Sequence, residues 1–360
     1  PHLVTMVPNL TASNYHNGWT YQGGAFELGF NVSWTLNILA LANFATIAEV
    51  KNVPQQRQQE LLKAVDGMTE AFSASPMKDL PYLKDGLAPY FYDWLAHPSF
   101  DDYWKKLCIE DQHSNIGQSA LHIGGWYDIF LGGTIRNFLG MRKSGATEEA
   151  RQGQKLIIGP WQHAARGSSL VGSHYFGTMA DSMAIGLDDI HLRWYDYWLK
   201  GTDNGIMDEP PVRIFVMGDD VWRDEQEWPL ARAQETKYFL HSGGKANSRH
   251  GDGSLGTKGP TEEAPDVFLY NPADPVPTVG GALCCNPYFA ASGAFDQNDI
   301  ESRSDVLVYS TPPLEREVEV TGPVTVTLWA ATSGTDTDFT AKLVDVCEDG
   351  CARNLTDGII

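Results

Sequence analysis

Ser119-Ala-Leu-His-Ile-Gly-Gly-Trp-Tyr-Asp128 and Gln154-Lys-Leu-Ile-Ile-Gly-Pro-Trp-Gln-His163 are two short apolar runs. Each closes on a Gly- or Pro-containing aromatic turn and delivers one ionisable residue just past its end. Between them, residues 130–144 carry Phe130, Leu131, Ile135, Phe138, Leu139 and Met141 at roughly helical spacing. The pattern reads strand, acid, helix, strand, histidine, which is a βαβ unit. In an open α/β sheet the chemistry sits beyond the carboxyl ends of the strands, so Asp128 and His163 are expected side by side, one crossover apart.

A carboxylate that orients an imidazole supplies two thirds of a Ser–His–Asp relay, and the chain order acid then histidine is that of the α/β-hydrolases. Gly125-Trp126-Tyr127-Asp128 and Ile158-Gly159-Pro160-Trp161-Gln162-His163 resemble the acid and histidine motifs of the CocE/NonD family. That family comprises cocaine-esterase-like serine hydrolases related to Xaa-Pro dipeptidyl-peptidases. The resemblance runs through nearly the whole chain. It takes in residues 191–205 (His-Leu-Arg-Trp-Tyr-Asp-Tyr-Trp-Leu-Lys-Gly-Thr-Asp-Asn-Gly) and 270–278 (Tyr-Asn-Pro-Ala-Asp-Pro-Val-Pro-Thr), with Gly280-Gly281 behind. It implies His163 as general base then acid, and Asp128 as its orienting partner.

The nucleophile has no counterpart in these 360 residues. No serine stands in Gly-x-Ser-x-Gly, the sharp strand-to-helix elbow that exposes the hydroxyl. Gly117-Gln-Ser119-Ala-Leu121 leads into a strand rather than out of one, and Gly167-Ser-Ser169-Leu-Val171 also lacks the second glycine. The serine and the oxyanion-hole donors are expected upstream of Pro1. The residues given are expected to be inactive alone, since losing a triad serine costs about 10⁶ in kcat.

The expected fold is α/β plus β: a partial α/β-hydrolase core, an all-α cap insertion and a C-terminal jelly-roll β-sandwich. Residues 1–14 read as a strand and exit loop of the core. Residues 15–113 carry helical patterns, among them an amphipathic run at 55–72 and a capping-box-like start at Ser99 and Asp102, and the resemblance makes them the cap. Residues 114–205 return to the core and end in a helix at 188–200 with Gly201 as its C-cap. From residue 210 the apolar period becomes two: Val212, Ile214 and Val216, then Val318, Val320, Val324, Val326 and Leu328. Residues 206–360 are therefore expected to form the sandwich, and in the family this domain is a jelly roll.

A net charge of −20 without a basic cluster argues against a nucleic-acid partner, and no run of about 18 apolar residues suggests a membrane span. The cellular compartment, cytoplasmic or secreted, stays open. Five cysteines are too few for a disulfide scaffold. Cys108 reads as a small core residue, and Cys284-Cys285 and Cys347/Cys351 could be oxidised or free. Neither a metal nor a cofactor is expected, because no pair has His or further Cys at zinc spacing.

From position alone, Trp19, Tyr21, Phe26 and Trp161 are candidates to shape an acyl pocket. Glu27 and Asp93 are available to meet a substrate amine. His122 and His174 could line the site, and Asp336/Asp338, Asp101/Asp102 and Asp219/Asp220 read better as turn acids. The expected partner is a small-molecule ester, amide or peptide substrate, and a homo-oligomer is open. The expected function is an acyl-enzyme serine esterase or acylase, with an Xaa-Pro dipeptidyl-peptidase as the alternative. From another class, a carbohydrate-binding sandwich could use Trp222, Trp228 and Trp329.

Overall fold

The computed structural model describes residues 2–83, 86–165 and 167–360. A five-stranded sheet organises it, in the order β1 (Thr5–Met6), β2 (Ser119–Tyr127), β3 (Gln154–Gln162), β4 (Val212–Val216), β5 (Val221–Glu225). The first four strands run parallel, and β5 returns antiparallel on the far edge. Parallel strands are covered on both faces and so read as continuous apolar runs, which is the pattern of 119–127 and 154–162. On one face lies α3 (Leu131–Ser144), whose Phe138 packs on Leu156, Ile158, Val212 and Ile214. On the other lies α4 (Leu187–Lys200), whose Ile190 and Trp194 pack with Leu121, Ile123 and Trp161. Leu192 and Leu199 of α4 are exposed.

The ends of these helices follow local chemistry. Arg142 and Lys143 occupy the last turn of α3, and Asp188 and Asp189 the first turn of α4, each opposite the local pole of the helix dipole. Gly201 ends α4 at φ 68°, where a side chain would be strained, and its N–H closes back on Tyr197.

Residues 15–113 form a largely helical insertion with a core of its own, including Leu36, Phe44, Leu61, Met68 and Phe91. It opens with a two-residue hairpin, Tyr21–Gln22 against Ala25–Phe26. The helical run after Leu28 has i→i+5 bonding at Trp34–Leu41, with Ala42 N–H donating to the Asn37 carbonyl. The amphipathic run at 55–72 is interrupted at Gly67, giving α1 (Gln56–Asp66) and a short helix Met68–Phe72. α2 (Pro89–Ala96) starts on proline, whose missing N–H costs nothing there. The cap of the helix Asp102–Lys105 is Asp101, whose carboxylate accepts from Tyr103 N–H, and not Ser99.

One expectation for the C-terminal half is corrected. Val212, Ile214 and Val216 belong to the core sheet rather than to a sandwich, because β4 pairs with β3 from Leu156↔Val212 onward. The alternating residues Val318, Val320, Val324, Val326 and Leu328 enter no ladder among the described residues. They are 43–60% exposed, and Trp329 beside them is 95% exposed. Their apolar side chains face solvent. The regular structure of residues 226–360 is a short hairpin, Phe239–His241 with Ser254–Gly256, a one-turn helix, Asn298–Glu301, and a longer hairpin, β6 (Thr340–Val346) with β7 (Ala352–Ile359), among the described residues. No helix among them is long and apolar enough to cross a membrane.

Candidate active site

The sheet brings Asp128 and His163 together. β2 and β3 run in register from Ala120↔Gln154 to Gly125↔Gly159, with an irregularity before Tyr127, so both strands end at the same height. The backbones approach closely there. A Cβ on Gly125 would stand 2.2 Å from the Trp161 carbonyl oxygen, and one on Gly159 would stand 2.4 Å from the Trp161 ring. Only glycine fits these two positions, which is the physical content of the two motifs.

Asp128 is buried, and His163 keeps 27% of its side chain exposed. Imidazole Nδ1 lies 3.0 Å from Asp128 Oδ1. A carboxylate accepts, so the ring hydrogen sits on Nδ1 and the lone pair on Nε2. The same Oδ1 accepts from Phe130 N–H at 3.0 Å at the start of α3, while Oδ2 has no partner among the described residues. The Phe130 ring meets the imidazole edge-on at 5.1 Å. Trp19 stacks on the other side of Phe130, at 4.5 Å, and Phe30 and Trp34 complete an aromatic wall. The site is thus a part-exposed imidazole held in one tautomer and walled by aromatic rings. That layout suits proton transfer to and from a hydroxyl.

The other candidates are dispersed. Tyr21 donates to the Trp94 carbonyl, stacks on His16 and has its phenol pushed up to about 12 by burial, while Phe26 packs on Phe91. Both belong to the interior of the helical insertion. Trp161 is fully buried among Leu187, Ile190 and Trp194, and its indole donates to the Ala180 carbonyl. Glu27 is half-buried, and that burial, with the Asp357 carboxylate adding to it, pushes its carboxyl up to about 7; Asp93 is exposed. His122 is buried, and desolvation holds its ring down at about 4 against the opposing effect of its hydrogen bond to Gln154. His113 bonds Asn137 beneath α3, and His174 packs on Phe176. Of the three tryptophans offered for carbohydrate, Trp222 bonds the Met179 carbonyl and Trp228 is buried against Trp126, which leaves Trp329 alone exposed.

One pair beside His163 was invisible in the linear pattern. Cys284 and Cys285, joined as a disulfide, lie on a loop of the C-terminal half that runs past the end of β3. Ser292 Oγ donates to Gln162 Oε1 at 2.6 Å and holds that loop against the residue preceding His163. Cys284 is buried with Ala12, Phe30 and Phe130. One ligating atom from each of His163, Cys284 and Cys285 lies within 4.8 Å of the other two.

A mostly parallel sheet with helices on both faces, a helical insertion and an Asp–His pair at adjacent strand ends defines the α/β-hydrolase class. The chain matches the family description X-Pro dipeptidyl-peptidase (S15 family) over residues 1–165, and X-Pro dipeptidyl-peptidase C-terminal non-catalytic domain over residues 204–360. It is 34% identical to the cocaine esterase of Rhodococcus sp. (strain MB1 Bresler) over 363 residues, covering 99% of this chain and 61% of that relative. Its fold is shared by an α-amino acid ester hydrolase (TM-score 0.69, 21% identity, all of this chain and 58% of that one). An aminopeptidase from a Thaumarchaeota archaeon of marine sediment also shares it (TM-score 0.68, 21% identity, all of this chain and 57% of that one). The protein belongs to the CocE/NonD family. These 360 residues span about three fifths of the length of the cocaine esterase.

Proposed function

We propose that the whole protein is a serine hydrolase of carboxylic esters or amides acting through an acyl-enzyme. The observation that carries this reading is the 3.0 Å contact between His163 Nδ1 and Asp128 Oδ1 at the ends of two parallel strands. His163 Nε2 takes the proton of a serine hydroxyl as it attacks the acyl carbon, and returns it to the leaving alcohol or amine. Asp128 holds the ring in the tautomer this needs and stabilises the imidazolium. The nucleophilic serine and the oxyanion donors belong to a part of the whole protein other than these residues, in keeping with the absence of Gly-x-Ser-x-Gly here.

Trp19, stacked on Phe130, is the aromatic candidate that supports an acyl-pocket role, whereas Tyr21, Phe26 and Trp161 are better read as packing. The similarity to a cocaine esterase favours an ester or amide of a small acid, and the S15 match keeps a dipeptidyl-peptidase as the second reading. The jelly roll remains part of this proposal, supported by the alternating residues 318–328 and their open apolar face.

The test is hydrolysis of p-nitrophenyl esters by the native polypeptide that carries this chain, with and without His163→Ala. Loss of about 10⁶ in kcat at unchanged circular dichroism is expected, and equal turnover in both proteins would remove His163 from the mechanism.

A further inference from the structure

We propose that, once the Cys284–Cys285 bond is reduced, the two sulfurs and His163 Nε2 form a three-ligand site for a thiophilic divalent cation such as Zn²⁺ or Cd²⁺. One imidazole nitrogen of His163, brought in from a distant part of the chain, and the sulfurs of the adjacent cysteines all lie within 4.8 Å of one another. A tetrahedral ion with metal–sulfur bonds of about 2.3 Å and a metal–nitrogen bond of about 2.0 Å needs its ligand atoms roughly 3.5 Å apart. Small side-chain movements close that difference.

Three features make the cluster more than a coincidence of thiols. Asp128 holds Nδ1–H, which is how a metal-bound histidine is ordinarily oriented, and it leaves the Nε2 lone pair free. Cys285 takes φ 77°, uncommon for a residue with a side chain, in the turn that carries both sulfurs beside the imidazole. Phe30 and Phe130 shield Cys284, while the part-exposed imidazole leaves an entry path and a fourth position for water. Two thiolates and an imidazole are ligands that suit zinc and its softer congener.

The chemistry balances. An external dithiol reduces the disulfide by exchange, giving two cysteine thiols and the oxidised dithiol. The cation then displaces both thiol protons to solvent and accepts the Nε2 lone pair. The site rests on the Asp128–His163 geometry and not on the hydrolytic reading; its readout is metal binding. Should both hold, a bound cation occupies the nitrogen that the proposed general base needs.

The test titrates Cd²⁺ into the dithiol-treated, desalted native polypeptide and follows cadmium–thiolate charge-transfer absorbance. Cys347 and Cys351, free thiols on a hairpin turn, are replaced by serine throughout, because they are the competing pair. One equivalent is expected to bind the reduced protein, with no band from the oxidised protein. Cys285→Ser abolishes it, and His163→Gln and Asp128→Asn each weaken it by about 10–100-fold. Circular dichroism establishes that the variants are folded, and Cys285→Ser, at a half-buried position, serves if His163→Gln is not. Binding unchanged by His163→Gln, a band that survives Cys285→Ser, or no band in the Cys347→Ser/Cys351→Ser protein would each overturn the site.

Discussion

At the level of single residues, the Asp128–His163 pair is readable in the sequence because each member follows a strand whose glycines admit only one kind of neighbour. Asp128 and His163 meet for that reason. Trp161 was misjudged from its place two residues before His163. Strand alternation turns its ring into the core beside Trp194, where its indole finds the Ala180 carbonyl. Cys284 and Cys285 carry no linear signal, since a loop of the other half must fold back to bring them to His163. Glu27 carries a consequence for stability. Its folded-state pKa of about 7 lies above the ordinary 4.5. The folded state therefore binds more protons than the unfolded state between those values, and stability falls as pH rises through that window. Above pH 7 the full cost stands, on the order of 3 kcal/mol. Glu27→Gln is expected to raise Tm at pH 8, to change it little at pH 4, and so to flatten the Tm-versus-pH curve.

At the level of elements, periodicity located the helices at 131–144 and 187–200 to within a residue or two, since both have a wide apolar face to bury. It missed the break at Gly67, where an amphipathic pattern continues across two separate helices. It also assigned Val212–Val216 to the wrong sheet, because a period of two says that a strand is half-buried but not which neighbour it takes. The close passage of β2 over β3 yields the sharpest prediction at this scale. Gly125→Ala puts a methyl group 2.2 Å from the Trp161 carbonyl, between two backbones that have little room to part. A loss of about 1–3 kcal/mol is expected, read as a lower midpoint in urea. A midpoint equal to wild type would show that the strands can separate there freely.

For the whole molecule, the link between the α/β core and the C-terminal half runs through buried polar contacts as well as apolar ones. Tyr127 O–H, at the end of β2, donates to the Asn354 carbonyl in β7 at 2.9 Å. The Asn354 side chain in turn accepts from Phe295 N–H and donates to the Gly293 carbonyl. As Asn354 is buried, its Asn-x-Thr pattern is a structural node and not a surface sequon. Tyr127→Phe leaves that carbonyl with one donor fewer and is expected to cost about 1–2 kcal/mol with an unchanged urea m-value. The proposed function requires the Asp128–His163 pair to activate a serine elsewhere in the whole protein. The most direct measurement is the rate at which a fluorophosphonate, a serine-directed acylation mimic, labels the native polypeptide and its Asp128→Asn variant. A labelled serine is expected in wild type, with labelling slowed by about 10⁴ in the variant, because the imidazole then rests in the wrong tautomer. Equal labelling of the two proteins, or no labelled serine in wild type, would contradict it.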